Sequence, residues 1–342
     1  MMSRTLALLS FFCSLTLLPQ GPASAAEPTL EIVRKRGELI CGVNGELPGF
    51  SAVNAAKQWE GLDVEYCRAV AAATLADATK VKFVPLTAEK RFTALISGDI
   101  DVLARNSTYN LERAAGSKVR FTTVNFYDGQ GFAVPKERNI DKAAQLGGHT
   151  VCVTKGTTTA TNLTDWAKLF DIKITPVVVD DERAMFDAFL NNKCVGITKD
   201  RTALASAIVR AGMAPLFKML PDTISKEPLG LYVRSGDDAW LDIVRWTHYA
   251  MITAEERNIR SSTVENRRKD AVEGGVRTLL GVDPGIGKPL GLDNNWVYNI
   301  IKQVGNYGEV YERNVGMGSP LKFSRGINSL PRDVGLMYAP PM

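Results

Sequence analysis

The chain has 342 residues, 41 Lys+Arg against 37 Asp+Glu, and 45% hydrophobic residues. That length allows two lobes or one large domain. The near-balanced charge argues against a nucleic-acid platform.

The N-terminus comes first. Arg4 gives a short positive region, and residues 6–18 form an apolar run closed by Pro19, Gly21 and Pro22. Ala23-Ser24-Ala25 then offers small residues at a signal-peptidase site. The run is too short for a stable span and leads into a cleavage pattern, so residues 1–25 read as a secretory leader cut near Ala25 or Ala26. Cys13 raises a lipid-anchor alternative, but Phe11-Phe12 precede it where small residues are expected. No later segment approaches 18 consecutive apolar residues.

Beyond the leader, short apolar strands alternate with amphipathic helices, the pattern of α/β layers with largely parallel sheets. Residues 39–43 form a strand ended by the turn-rich 44–49, followed by a helix over 61–73, a strand over 81–85 and a helix over 89–97. A third strand covers 100–103 and leads into Arg105, Asn106, Thr108 and the N-cap candidate Asn110, which puts Arg113 in the first turn of a helix. The pattern restarts after Gly131, with strands at 150–153, 174–179 and 195–198 and helices at 160–170 and 183–190. Two βαβαβ runs predict two similar lobes: 26–128 with 231–342, and 129–230. The chain crosses near 127–131 and returns near 227–230; a helix over 240–255 packs back on the first lobe, and the Gly-, Pro- and Asn-rich tail forms a packed extension.

Ligands in such sheets bind beyond the carboxyl ends of the strands. Arginine is disfavoured in a helical first turn unless a carboxylate sits there, which its guanidinium can grip with two hydrogen bonds. Gly156-Thr157-Thr158-Thr159 offers amides and hydroxyls between strand and helix, and Asp200, after the last strand, can meet an ammonium. Four cysteines remain without the leader: Cys41, Cys67, Cys152 and Cys194. Three connectivities are open, and sequential pairing is favoured because each bridge then stays within one lobe. The absence of Cys-x-x-Cys and the separation of His149 from His248 argue against a metal.

The runs Gly61-Leu62-Asp63-Val64-Glu65, Arg91 to Val102 and Glu112-Arg113 resemble the polar amino-acid solute-binding family, the periplasmic receptors of ABC importers. The tail, with Val304 to Glu309 and Gly318 to Leu321, looks like its general L-amino-acid branch. The resemblance implies a two-lobed periplasmic-binding-protein fold (type II) hinged around a cleft. It implies that Arg113 binds the ligand α-carboxylate with Asn106 and Thr108 on a strand-end loop, that Thr158 adds a hydroxyl, and that Asp200 receives the α-ammonium. Asn44, Leu47 and Ala88 would face the ligand side chain. No cofactor is implied; the partners are an L-amino acid and inner-membrane permease subunits, and the receptor acts as a monomer. Two departures stand out: Leu47 occupies a place where an aromatic is common, and Lys199 and Arg201 flank Asp200, so the reading requires both cations to point away from it. The rivals are an exported lyase similar to cyclohexadienyl dehydratases, a receptor for another small anion or opine, and a sensory module. His149, in a glycine turn, and His248, on a helix, offer no strand-end nucleophilic triad.

Overall fold

The computed structural model describes residues 27–342 apart from Ser117 and Ala211; the leader, its cleavage site and Cys13 lie outside the described residues. The first lobe opens with helix α1 (Thr29–Arg36) and strand β1 (Leu39–Val43). A small antiparallel sheet follows, β2 (Glu46–Leu47), β3 (Ser51–Val53) and β4 (Trp59–Glu60), where the sequence predicts only turns. Then come α2 (Leu62–Leu75), β5 (Val81–Pro85), α3 (Arg91–Ser97), β6 (Val102–Thr108), α4 (Leu111–Gly116) and β7 (Val119–Asp128).

The second lobe comprises β8 (Gln130–Pro135), β9 (Thr150–Thr154), α5 (Thr158–Leu169), β10 (Thr175–Val179), α6 (Glu182–Leu190), β11 (Gly196–Asp200), α7 (Arg201–Arg210) and β12 (Phe217–Met219). Strand β13 (Glu227–Arg234) returns to the first sheet. Its pairing with β7 begins at Glu227↔Asp128, so the whole strand lies in that sheet and the chain has returned by Glu227, at the start of the 227–230 segment expected from sequence.

The sheets run β5-β1-β6-β13-β7 and β10-β9-β11-β8-β12. In each, three neighbouring strands are parallel and the other pairings are antiparallel, so "largely parallel" overstates the case. The antiparallel members include the crossing strands β7, β8 and β13. They run in and out of each lobe without the helical return that a parallel neighbour needs.

Side-chain alternation divides the second lobe's core. Phe132, Val134, Val151 and Val153 pack on one face, while Ala133, Cys152, Ile197 and Met185 pack on the other. The first lobe's larger core gathers α2 and α8 (Asp238–Glu256) with α9 (Val264–Lys269), α10 (Gly274–Leu279), α11 (Trp296–Gln303) and α12 (Tyr307–Asn314). The tail is thus a packed extension: Trp296, Tyr307 and Tyr311 are almost completely buried in that core. The disulfides pair sequentially, Cys41–Cys67 and Cys152–Cys194, closing separations of 26 and 42 residues. Loops of that size each contribute roughly 3–4 kcal/mol on the chain-entropy model. No helix among the described residues is long and apolar enough to cross a membrane.

Candidate functional site

The first jaw forms at the end of β6. This strand extends through Thr108, so Asn106 and Thr108 lie on the strand itself and not on a following loop. Asn106 adopts φ 33°, a region that asparagine enters more readily than most residues. Its N–H donates to Asp63 Oδ2 at 2.9 Å, and its buried Oδ1 has no hydrogen-bond partner. Asp63 stands in the first turn of α2. Burial pushes its carboxyl up to about 7 against the lowering influence of the Asn106 N–H and Arg105.

The Thr108 carbonyl accepts from Arg113 Nη1 at 2.8 Å and from the Tyr232 hydroxyl at 2.7 Å. As the sequence predicts, Asn110 caps α4: its Oδ1 accepts from the Arg113 N–H at 2.9 Å. The Arg113 and Arg91 guanidinium carbons lie 5.2 and 5.0 Å from the centre of the Phe92 ring, an arrangement that steadies both cations. Arg91 is 3% exposed and its Nε has no partner.

The second jaw faces these groups. Thr157 caps α5 by accepting from the Ala160 N–H, and Thr158 Oγ1 lies 3.3 Å from Thr108 Oγ1 across the cleft. Both hydroxyls donate to Glu227 Oε2, at 2.5 Å from Thr108 and 3.1 Å from Thr158. Asn162 and Ser225 donate to the other oxygen. Glu227, at the return crossing, therefore fastens hydroxyls from both lobes.

Asp200 closes β11 as its last residue, paired with Gln130, and is buried. Burial, then Asp128 and Glu227, drives its carboxyl well above the usual range, with Lys199 opposing. Asp128 is itself pushed up to about 6 by burial although it accepts from Thr202 and Gly129. Acidic groups crowded this way ionise only with a cation among them, and an ammonium provides one.

The remaining sequence candidates separate. Ala88 lines a cleft of about 510 Å³ with Phe92, Arg113, Gly156, Thr158 and Asn162. Asn44 is buried and its Nδ2 donates to Glu182 Oε1 across the lobes at 2.8 Å. Leu47 is 1% exposed and packs in the first lobe's core; Glu46 is exposed. Of the two cations beside Asp200, Arg201 turns away to the carbonyls of Leu220 and Asp222, and Lys199 is buried against Glu182.

Sequence reasoning missed Glu182, Arg105 and Glu227. Burial raises the Glu182 carboxyl, but Lys199 and Arg105 outweigh it and hold the group at about 2. A first-turn acid on a helix gives no sequence sign of such a role, and Arg105 was named only as part of the run after the 100–103 strand, with no role assigned. His149 is exposed, while His248 is buried against the Tyr66 hydroxyl at 2.7 Å and burial lowers it to about 3. Among the described residues no cluster suits a metal ion.

Residues 39–259 match the model for bacterial extracellular solute-binding proteins, family 3. The chain is 44% identical over 337 residues to the general L-amino acid-binding periplasmic protein AapJ of Rhizobium johnstonii, covering 98% of each chain. It is 44% identical over 332 residues to the glutamate/glutamine/aspartate/asparagine-binding protein BztA of Rhodobacter capsulatus, covering 97% of this chain and 98% of that one. Among solved structures, an ABC-transporter periplasmic binding protein from Brucella ovis with glutathione bound superposes with a TM-score of 0.88 at 44% identity, covering 92% of this chain and 99% of that one. The chain belongs to the bacterial extracellular solute-binding proteins, family 3.

Proposed function

We propose that the protein is a periplasmic receptor that closes its lobes on the α-carboxylate and α-ammonium of an L-amino acid and delivers it, as a monomer, to inner-membrane ABC permease subunits. Its lobes are the chain through Asp128 together with the chain from Glu227 onward, and the intervening segment built on the second sheet. The observation that carries this reading is the cleft lined by Arg113 from one lobe and Thr158 from the other, with the buried Asp200 carboxyl of the second lobe within electrostatic reach of the guanidinium. A zwitterion bridges them, and neither of its charges is buried unpaired. Because it touches both jaws only when they meet, its binding favours the closed state. Thr158, Thr108 and Asn106 supply the flanking polar groups, and Asn44 and Ala88 border the side-chain region.

Calorimetry on the Arg113→Ala protein is the test. Removing the guanidinium from a buried charge pair costs about 3–5 kcal/mol, so affinity falls by at least two orders of magnitude. Near wild-type affinity in a folded variant would sink the carboxylate assignment.

A second reading has support of its own. The γ-glutamyl end of glutathione carries the same headgroup, and the cleft of about 510 Å³ beside Arg113 gives a peptide room. Competition between glutathione and a free amino acid for one calorimetric site separates this reading from a receptor restricted to free amino acids.

A further inference from the structure

Four charged or amide side chains meet one step inside the two jaws. Arg105 precedes Asn106 on β6, and Lys199 precedes Asp200 on β11. Arg105 is 4% exposed, and Lys199 and Asn44 are each 7% exposed. Glu182, at the start of α6, reaches all three: Oε1 accepts from Asn44 at 2.8 Å, pairs with the Lys199 ammonium and lies 3.8 Å from Arg105 Nη2. The residue after β1 and strand β6 of the first lobe, and strand β11 of the second, converge on a single carboxylate oxygen.

One carboxylate stands between two buried cations. Arg91 adds a third cation within electrostatic reach of Arg105, while the Asp63 carboxyl acts on Arg105 with the opposite sign. Arg105 is also incompletely bonded. Its Nε donates to the Leu86 carbonyl at 2.7 Å, but among the described residues neither Nη1 nor Nη2 donates a hydrogen bond, the contact to Glu182 being too long. The planar fork suits a second oxygen acceptor. Arg105 also lies within electrostatic reach of Asp200, the ammonium partner proposed above.

We propose that Glu182 and Arg105 determine the clamp's ranking of ligand side chains: Arg105 receives a side-chain carboxylate or carboxamide oxygen, and Glu182 limits the surrounding positive charge so that acids and amides are both accepted. This rests on the amino-acid reading and names the ligand class, that of acidic and amide side chains. A cationic side chain is repelled by Arg105 and Lys199, whose two charges the single Glu182 carboxylate only partly offsets. An aliphatic one leaves the Arg105 fork without an acceptor, a cost paid on desolvation.

Calorimetry of the mature full chain with L-glutamate, L-glutamine and L-alanine, in wild type, Glu182→Gln and Arg105→Gln, tests the proposal. Removing the Glu182 charge favours an anionic side chain through a partly desolvated medium, so the glutamate-to-glutamine affinity ratio rises about tenfold. Arg105→Gln lowers the glutamate-to-alanine ratio by about tenfold or more. If Glu182→Gln does not fold, the Arg105→Gln ratio decides. Uniform loss for every ligand, with both ratios within about twofold of wild type, assigns the cluster to lobe closure alone and overturns the proposal. A wild-type protein that binds no amino acid overturns the proposed function and this inference with it; wild-type binding with unmoved ratios overturns only the inference.

Discussion

Asp63 and Asp128 connect the site to pH. Burial holds their carboxyls at about 7 and about 6, against an ordinary value of 3.8. A carboxyl raised on folding binds more protons in the native state, so its stabilisation is present at low pH and fades as pH rises from the unfolded value through the folded one. Glu182, at about 2 against 4.5, works in the other direction: its stabilisation is full above 4.5 and lost as pH falls toward 2. Without ligand, the urea midpoint therefore declines between pH 5 and pH 8, the two aspartates outweighing His248, whose lowered imidazole adds stability as pH rises toward 6.5. Asp63→Asn, whose amide oxygen still accepts from the Asn106 N–H, flattens part of that decline. A wild-type midpoint unchanged across the window contradicts the buried carboxylates. At this scale the positions of Arg113, Asp200 and Thr158 at the cleft were legible because each follows a strand or opens a helix, where ligands gather, whereas Ala88 came only from the family resemblance. Glu182 and Arg105 were not, because their meaning comes from a partner in the other lobe.

Gly61 shows how an element serves the site. Its φ is 125°, and a Cβ there would lie 2.2 Å from both the carbonyl carbon and oxygen of Phe50. This close approach lets Leu62 and Asp63 donate their N–H groups to the Gly49 and Phe50 carbonyls, which fixes the start of α2 and with it the carboxylate under Asn106. Gly61→Ala is expected to cost roughly 2–4 kcal/mol in urea unfolding and to weaken ligand binding as well, since the clash is with backbone. Wild-type stability would refute that role. The three parallel strands of each lobe and the helices between them were readable from periodicity, with ends shifted by a few residues; the antiparallel β7, β8, β12 and β13 were not predicted, nor was the extension of β6 to Thr108 and of β11 to Asp200, where polar cleft residues break the apolar pattern. The small sheet β2–β4 was missed for a related reason: its strands are two or three residues long, too short for alternation to register. Helix α12 escaped notice although Asn306 and Glu309 form a capping box at its start.

The whole molecule is a closed pair of lobes. Thr108 meets Thr158, Asn44 meets Glu182, Ser206 donates to the Pro48 carbonyl at 2.6 Å and Arg210 to the Glu46 carbonyl at 2.7 Å. The repeat of strand and helix announced two lobes, but it could not show that β13 lies wholly in the first sheet with Glu227 at the crossing. The crossing matters because Glu227 sits where the lobes must pivot and holds a hydroxyl from each. The central claim is that both jaws grip one amino-acid headgroup. The most direct measurement is a crystal structure with L-glutamate bound: the account predicts its α-carboxylate on Arg113 and its α-ammonium on Asp200. A ligand seated with its headgroup away from either residue would contradict it.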